Sequence, residues 1–186
     1  MKKQIRVVGF DDCPHKEHGR GRVKVIGTFF RGGLILDGVL SFSIKVDGDD
    51  STKKLIKTIN KSKFKPQIKA VFLDGIAFGG FNIIDIDRLY KKTGIPVIVV
   101  IRKKPDIAKI KKILKKLDME EKIRIIDRAG KVVRAGKIYV QYKGLDFSEV
   151  KEILKVTCTN SYIPECIRVA HLIAQALFFG ESKGDA

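Results

Sequence analysis

The run "GIPVIVVI", Gly94 to Ile101, is the feature that most restricts the fold of this chain. After the glycine it holds only proline and β-branched residues. With no polar residue at alternate positions it has no face to offer water, so it reads as a strand buried on both faces of a parallel sheet. Such a strand needs helices to cover it, and helical periodicity occurs on either side. The segment from about Ile84 to Thr93 reads as one helix. "PDIAKIKKILKKLD" reads as another, with Ile107, Ile110, Ile113, Leu114 and Leu117 on one face and five lysines turned away from it. Ile95 to Ile101 is also the longest apolar stretch, far too short to span a bilayer, and "MKKQIRVVGF" carries no leader-like apolar segment. A soluble, cytoplasmic protein with no membrane partner is expected. Cys13, Cys158 and Cys166 lack a framework spacing, which agrees with a reducing compartment.

The rest of the chain supplies a sheet around that strand. "IRVVGF" (Ile5 to Phe10) is a β-branched run closed by the turn-forming "DDCP", and reads as a central strand. Val23 to Phe30 and Leu34 to Val46 are two further runs, joined by the "RGG" that a tight hairpin needs. Leu55, Ile56 and Ile59 then recur at helical spacing behind Asp50 or Ser51, either of which suits a helix start. "IKAVFLDG" is a fourth strand, ended by Asp74 and Gly75 and followed by the glycine-rich loop "IAFGGFN". "KIRIID" and "KIYVQYKG" read as later strands, with "RAGK" as a turn, and helices from Phe147 to Val156 and Ile163 to Phe178 close the chain. No linker or internal repeat divides it, so residues 1–186 are expected to form one domain. A hairpin pair followed by strands joined through helices is the ribonuclease H-like α/β arrangement, a mixed sheet flanked by helices. It would set strand one beside strand four.

That adjacency gives meaning to the acidic residues. The chain carries 38 Lys and Arg against 21 Asp and Glu, a formal net charge of +17, which suits a partner as anionic as nucleic acid. A thermophile surface has a similar composition. Against this background Asp11 and Asp12 end strand one and Asp74 ends strand four. Hydrolysis of a phosphodiester in a divalent-metal site needs hard oxygen ligands on rigid elements, and Asp11, Asp74 and a third carboxylate meet that need. The third is Asp50, with Asp49 as the alternative. Asp50 before "STKKL" equally fits a helix N-cap, and Asp-Cys-Pro and Asp-Gly equally fit turns.

"VVGFDD", then "VFLDGIAFGG", then "GIPVIVVIRK", and at the end "NSYIPECIRVAHLIAQ" together resemble the endonuclease V family over most of the chain. The likeness is closest to uncharacterised archaeal proteins distantly related to that family. The resemblance implies a ribonuclease H-like fold, Mg²⁺ or Mn²⁺, and cleavage of RNA or DNA near a deaminated base such as inosine. Position by position, Asp11 and Asp74 match the family's two metal-binding aspartates. Arg102 falls where a lysine follows the "IP" strand, a place from which it could hold a phosphate. The family's aromatic-Pro-Gly wedge ending in Arg-Glu is absent: "DGVLSFSI" echoes it only in "LSF" and reads as a strand. The role of that glutamate would pass to Asp50 or Asp49. A histidine expected after Asp74 is also missing from "IAFGGFN".

Other readings stand beside this one. Cys13, His15 and His18 in "CPHKEH" offer a thiol with a base, or soft metal ligands, without a recognised zinc spacing. "GRGR" at Gly19 to Arg22 reads as a basic turn, and His171 as a packing or surface histidine. A non-catalytic nucleic-acid-binding module of the same fold would use Arg102, Lys103 and Lys104 and the basic face beyond them to track phosphates. Phe78 and Phe81 are the candidates for stacking on a base, whereas Phe29 and Phe30 belong to the core.

Overall fold

The computed structural model describes residues 4–15 and 21–183. Val7 to Phe10, Val71 to Leu73 and Val97 to Val100 are all buried, and they form the middle of a seven-stranded mixed sheet. Its strands are β1 (Arg6–Asp12), β2 (Arg22–Arg31), β3 (Ile35–Lys45), β4 (Ala70–Asp74), β7 (Val97–Ile101), β8 (Val133–Ala135) and β9 (Ile138–Lys143). Their order across the sheet is β3-β2-β1-β4-β7-β9-β8. β1, β4 and β7 run parallel, and the others add antiparallel neighbours. This is the expected architecture, with strand one beside strand four. The glycine-rich loop folds into a separate hairpin of β5 (Ala77–Phe78) and β6 (Asn82–Ile83).

Alternation explains why the central strands lack a polar face. Val8 and Phe10, Val71 and Leu73, and Val97 and Val99 point into one core with α1 (Ser51–Lys61) and α2 (Ile86–Thr93). Val7, Ala70, Phe72, Ile98 and Val100 point into a second core with α5 (Phe147–Thr157) and α6 (Glu165–Phe179). α3 (Ile107–Lys116) and α4 (Glu120–Ala129) make a smaller cluster around Leu114 and Ile126. Leu117 does not join the buried stripe, because the helix ends at Lys116 and leaves it exposed.

α4 corrects the reading of "KIRIID" as a strand. The isoleucines at 123 and 125 mimic a two-residue period, but the buried positions are 122, 126 and 129, a helical stripe begun by a lysine. Lys122 is 2 % exposed. Its Nζ donates to the carbonyl oxygens of Asp47 (2.8 Å) and Gly48 (3.1 Å) and lies 3.2 Å from the Asp49 carboxylate. A polar residue thus occupies a core-facing position and clamps the turn that follows β3.

α6 docks on the sheet with unusual closeness. Thr28 Oγ1 of β2 donates to the carbonyl oxygen of Cys166, and Gly9 of β1 faces the same residue. A Cβ at Gly9 would stand 2.6 Å from the Cys166 carbonyl carbon, inside van der Waals contact with backbone that cannot swing away. Two stability measurements follow. Gly9→Ala should destabilise the protein by about 1–3 kcal/mol, read as a lowered melting temperature in calorimetry. Lys122→Met keeps the buried volume but removes the donors to two carbonyls, and should cost about 1–3 kcal/mol in a urea titration.

Candidate active site

The parallel pairing of β1 with β4 matches Val7 to Ala70 and Phe10 to Leu73, so the next step sets Asp11 beside Asp74. Both have the parity of Val7 and Phe72, and both therefore face α6. There they meet His171: one ligand atom from each of Asp11, Asp74 and His171 lies within 4.8 Å of the others. Nδ1 of His171 is 2.7 Å from Oδ2 of Asp11. Two residues beyond Val100, on the same face, Arg102 donates Nη1 to both oxygens of Asp74, at 2.7 and 2.8 Å. A cavity of about 590 Å³ opens over these groups, walled also by Asp12, Cys13, Pro14 and His15.

Hydrogen bonds fix the histidine's protonation pattern. The backbone N–H of Lys183 donates to Oε1 of Gln175 (2.6 Å), which turns the Gln175 amide nitrogen toward His171 Nε2 at 2.8 Å. Nε2 then accepts, and the neutral ring carries its proton on Nδ1, facing Asp11. Burial pushes the Asp11 carboxyl up to about 6; the His171 hydrogen bond opposes this, and the carboxylates of Asp74 and Asp12 add to it. His171 is raised in turn by its bond to Asp11, against its own desolvation. Crowded, partly buried carboxylates of this kind are stabilised by a cation.

Adjacent aspartates on a strand point to opposite faces, and the pair divides its work accordingly. Asp12 accepts from the backbone N–H of Gly79 at 2.9 Å and so ties the β5–β6 hairpin to the end of β1. Burial raises its pKa in spite of that bond. The structure does not bring Asp50 to the cluster. It takes the N-cap position of α1, but its side chain accepts from Lys45 N–H (3.0 Å) and from Asn82 Nδ2 (2.9 Å). Burial pushes its pKa up, but these bonds outweigh that and hold it below the usual carboxylate range. Asp49 is exposed beside Lys122. The third group is instead His171, which sequence reasoning assigned to packing or surface; the available signal was His171 and Gln175 one helical turn apart, next to the small Ala170 and Ala174.

The remaining candidates separate in the same way. Phe78 is fully buried and is no stacking platform, because the hairpin turns it into the core. Phe81 is half-buried against the α3–α4 cluster. Lys103 and Lys104 are exposed immediately after Arg102. Phe29 and Phe30 are buried, as expected of core residues. Cys13 is 5 % exposed, and burial pushes its thiol up to about 11, which opposes a nucleophilic thiolate. His15 Nδ1 lies 3.9 Å from Asp12, and His18, Gly19 and Arg20 fall outside the described residues. Among the described residues no helix is long and apolar enough to cross a membrane.

Comparison with known proteins agrees with the fold and the chain-wide pattern. The family model described as endonuclease dU matches residues 3–178. A UPF0215 protein of Methanosarcina barkeri is 47% identical over 191 residues, covering 100% of this chain and 97% of the relative. One from Pyrococcus horikoshii is 44% identical over 190 residues, covering 100% and 98%. A crystal structure of a protein of unknown function from Archaeoglobus fulgidus superposes with a TM-score of 0.88 at 39% identity, covering 94% of this chain and 99% of the other. Ciona intestinalis endonuclease V, solved with a 24mer DNA containing an inosine followed by a ribo-adenosine, gives 0.59 at 14% identity, with 90% and 83% covered. Bacillus subtilis endonuclease V gives 0.61 at 11%, with 93% and 80% covered. The chain therefore belongs to the endonuclease dU family, with archaeal UPF0215 relatives along its whole length and the ribonuclease H-like fold of endonuclease V.

Proposed function

We propose that this protein is a divalent-metal-dependent endonuclease that hydrolyses a nucleic-acid phosphodiester beside a deaminated nucleoside, with deoxyuridine, the reading of "dU" in its family description, as the first candidate and inosine as the second. The observation that carries the reading is the meeting of Asp11 and Asp74 at the ends of adjacent parallel strands, with His171 completing a three-donor group in an open cavity. The donor set fits a metal: two hard carboxylates suit Mg²⁺ or Mn²⁺, and an imidazole nitrogen is tolerated better by Mn²⁺. Asp11 and Asp74 would hold the ion, with His171 orienting Asp11 through its Nδ1 proton and becoming a third donor through Nδ1 only where the ion displaces that proton. Bound there, a divalent ion supplies an activated water and neutralises charge on the phosphate.

The protein's own groups do the rest. Arg102 neutralises Asp74 through Nη1, while its Nη2 is buried without an acceptor and would become a donor to a phosphate oxygen once the side chain turns outward. Lys103 and Lys104 extend that positive charge along the strand being bound, and the overall charge of +17 favours the encounter. Gln175 and the Lys183 N–H keep His171 in the orientation that supports Asp11.

A second reading, a binding module without catalysis, is favoured by two observations: Asp49 and Asp50 are engaged elsewhere, and Arg102 already covers both oxygens of Asp74. Cleavage assays separate the two. Labelled single- and double-stranded oligonucleotides with a single deoxyuridine, a single deoxyinosine or neither should be cut in Mg²⁺ or Mn²⁺ beside the deaminated base. Asp11→Ala and Asp74→Ala should each lower the rate by about 100-fold or more. Salt-sensitive binding with no cleavage by wild type would establish the second reading. Metal binding is measured apart from turnover: Asp74→Asn should weaken Mn²⁺ binding about tenfold or more in calorimetry, and unchanged affinity would remove Asp74 as a ligand.

A further inference from the structure

α6 runs beside β1 in the same direction, with Cys166 against Gly9 and His171 against Asp11. It continues past the end of the strand. Leu177 and Phe178 lie about 10 Å further along the helix from His171 and border a second cavity, of about 400 Å³, between the end of β1 and the start of β2. Pro14, Val46, Leu177 and Phe178 give it apolar walls, while Arg22 and Lys24 line the same cavity. Cys13, Pro14 and His15 line both this cavity and the carboxylate cavity, so the two adjoin at that segment.

The composition of this cavity is unlike that of the carboxylate site. Phe178 is 47 % and Leu177 59 % exposed, with no packing role that requires an aromatic there. Phe178 meets Phe179 edge to face at 4.8 Å, which steadies the ring without covering it. Arg22 is held in place by donating Nη2 to the Ser43 carbonyl oxygen at 2.7 Å. An aromatic face with two cations beside it matches a nucleotide, whose base has an apolar face and whose phosphate is anionic. We propose that this cavity is a base-binding subsite, in which Phe178 stacks on a nucleobase flanking the scissile phosphate while Arg22 and Lys24 hold the adjoining backbone. The assignment rests on the nuclease reading of the Asp11–Asp74 site. It places the bound strand along α6, from His171 toward the end of the helix.

The chain contains no tryptophan, so Phe178→Trp installs a single reporter at the subsite. Binding is compared, in EDTA, between an oligothymidylate and an abasic backbone of equal length and charge. Wild type should bind the oligothymidylate about tenfold more tightly, the scale of one stacked base. Phe178→Ala should bind both alike, Phe178→Tyr should keep the preference, and the Phe178→Trp fluorescence should be quenched by the oligothymidylate and not by the abasic strand. A base preference that survives Phe178→Ala, with no quenching in Phe178→Trp, would overturn the subsite and leave the nuclease reading standing. Failure of wild type to bind either strand at low salt, with Mn²⁺ as well as in EDTA, would overturn both. A concentration-dependent dimer in sedimentation that Phe178→Ala dissolves would assign the patch to a second copy of the chain and overturn the subsite.

Discussion

Parallel pairing of β1 with β4 governs nearly everything that follows at the site. It brings residues 63 positions apart into the same register step, and strand parity then turns Asp11 and Asp74 toward the same helix. Side by side at a strand end, two carboxylates repel each other, and burial of Asp11 makes its charged form more costly still. The surroundings answer that cost group by group: Arg102 covers Asp74, and His171 covers Asp11. A core built only for stability would place apolar residues at these positions, as the same strands do one residue earlier with Phe10 and Leu73.

Closeness of α6 to the sheet is the second requirement, because His171 reaches Asp11 only if the helix backbone lies low on β1. Gly9 and the Thr28 hydroxyl secure that approach at Cys166, five residues before His171. On the other side of the sheet, Asp12, Asp47, Asn82 and Lys122 bind the β5–β6 hairpin and the turn after β3 to the strand ends. Phe81 N–H donates to Asp47 Oδ1 at 2.8 Å, and Asn82 Nδ2 to the Lys45 carbonyl oxygen at 2.9 Å. The margin of the site is therefore held by buried polar contacts in place of apolar packing, which fixes geometry more narrowly because each group has few acceptable partners.

Much of this was legible in the amino-acid order, and the exceptions share a cause. β-branched runs announced the central strands, "RGG" the hairpin, and the order of elements the adjacency of Asp11 and Asp74. Periodicity failed where the residue that completes a buried stripe is polar, as Lys122 does in α4, so that "KIRIID" looked alternating. It also failed where a side chain has two plausible partners. Asp50 looks like an N-cap or a ligand, yet it is claimed by Asn82 and Lys45, which only the folded chain brings within reach. His171 sits 160 residues from Asp11, and only Gln175, one helical turn further on beside small alanines, sets it apart locally from a packing histidine. Phe78, in a stretch that reads as an open loop, is drawn inward by hairpin pairing with Asn82.

The sign of the charge in each place completes the physical picture. A chain of net charge +17 attracts a polyanion from a distance, but at the ends of β1 and β4 it presents Asp11, Asp12 and Asp74 together, a spot that repels phosphate. Arg102 and His171 reduce that repulsion without reversing it, since each is already spent on a carboxylate. A divalent cation among the same groups would cancel the remaining negative charge and leave the flanking Lys103, Lys104, Arg22 and Lys24 to hold the backbone on either side. Long-range attraction by fixed surface charges and short-range acceptance by a cation would then be separate conditions on the same strand. Under the nuclease reading, that separation lets the protein bind nucleic acid along its surface while confining chemistry to the point where both are met.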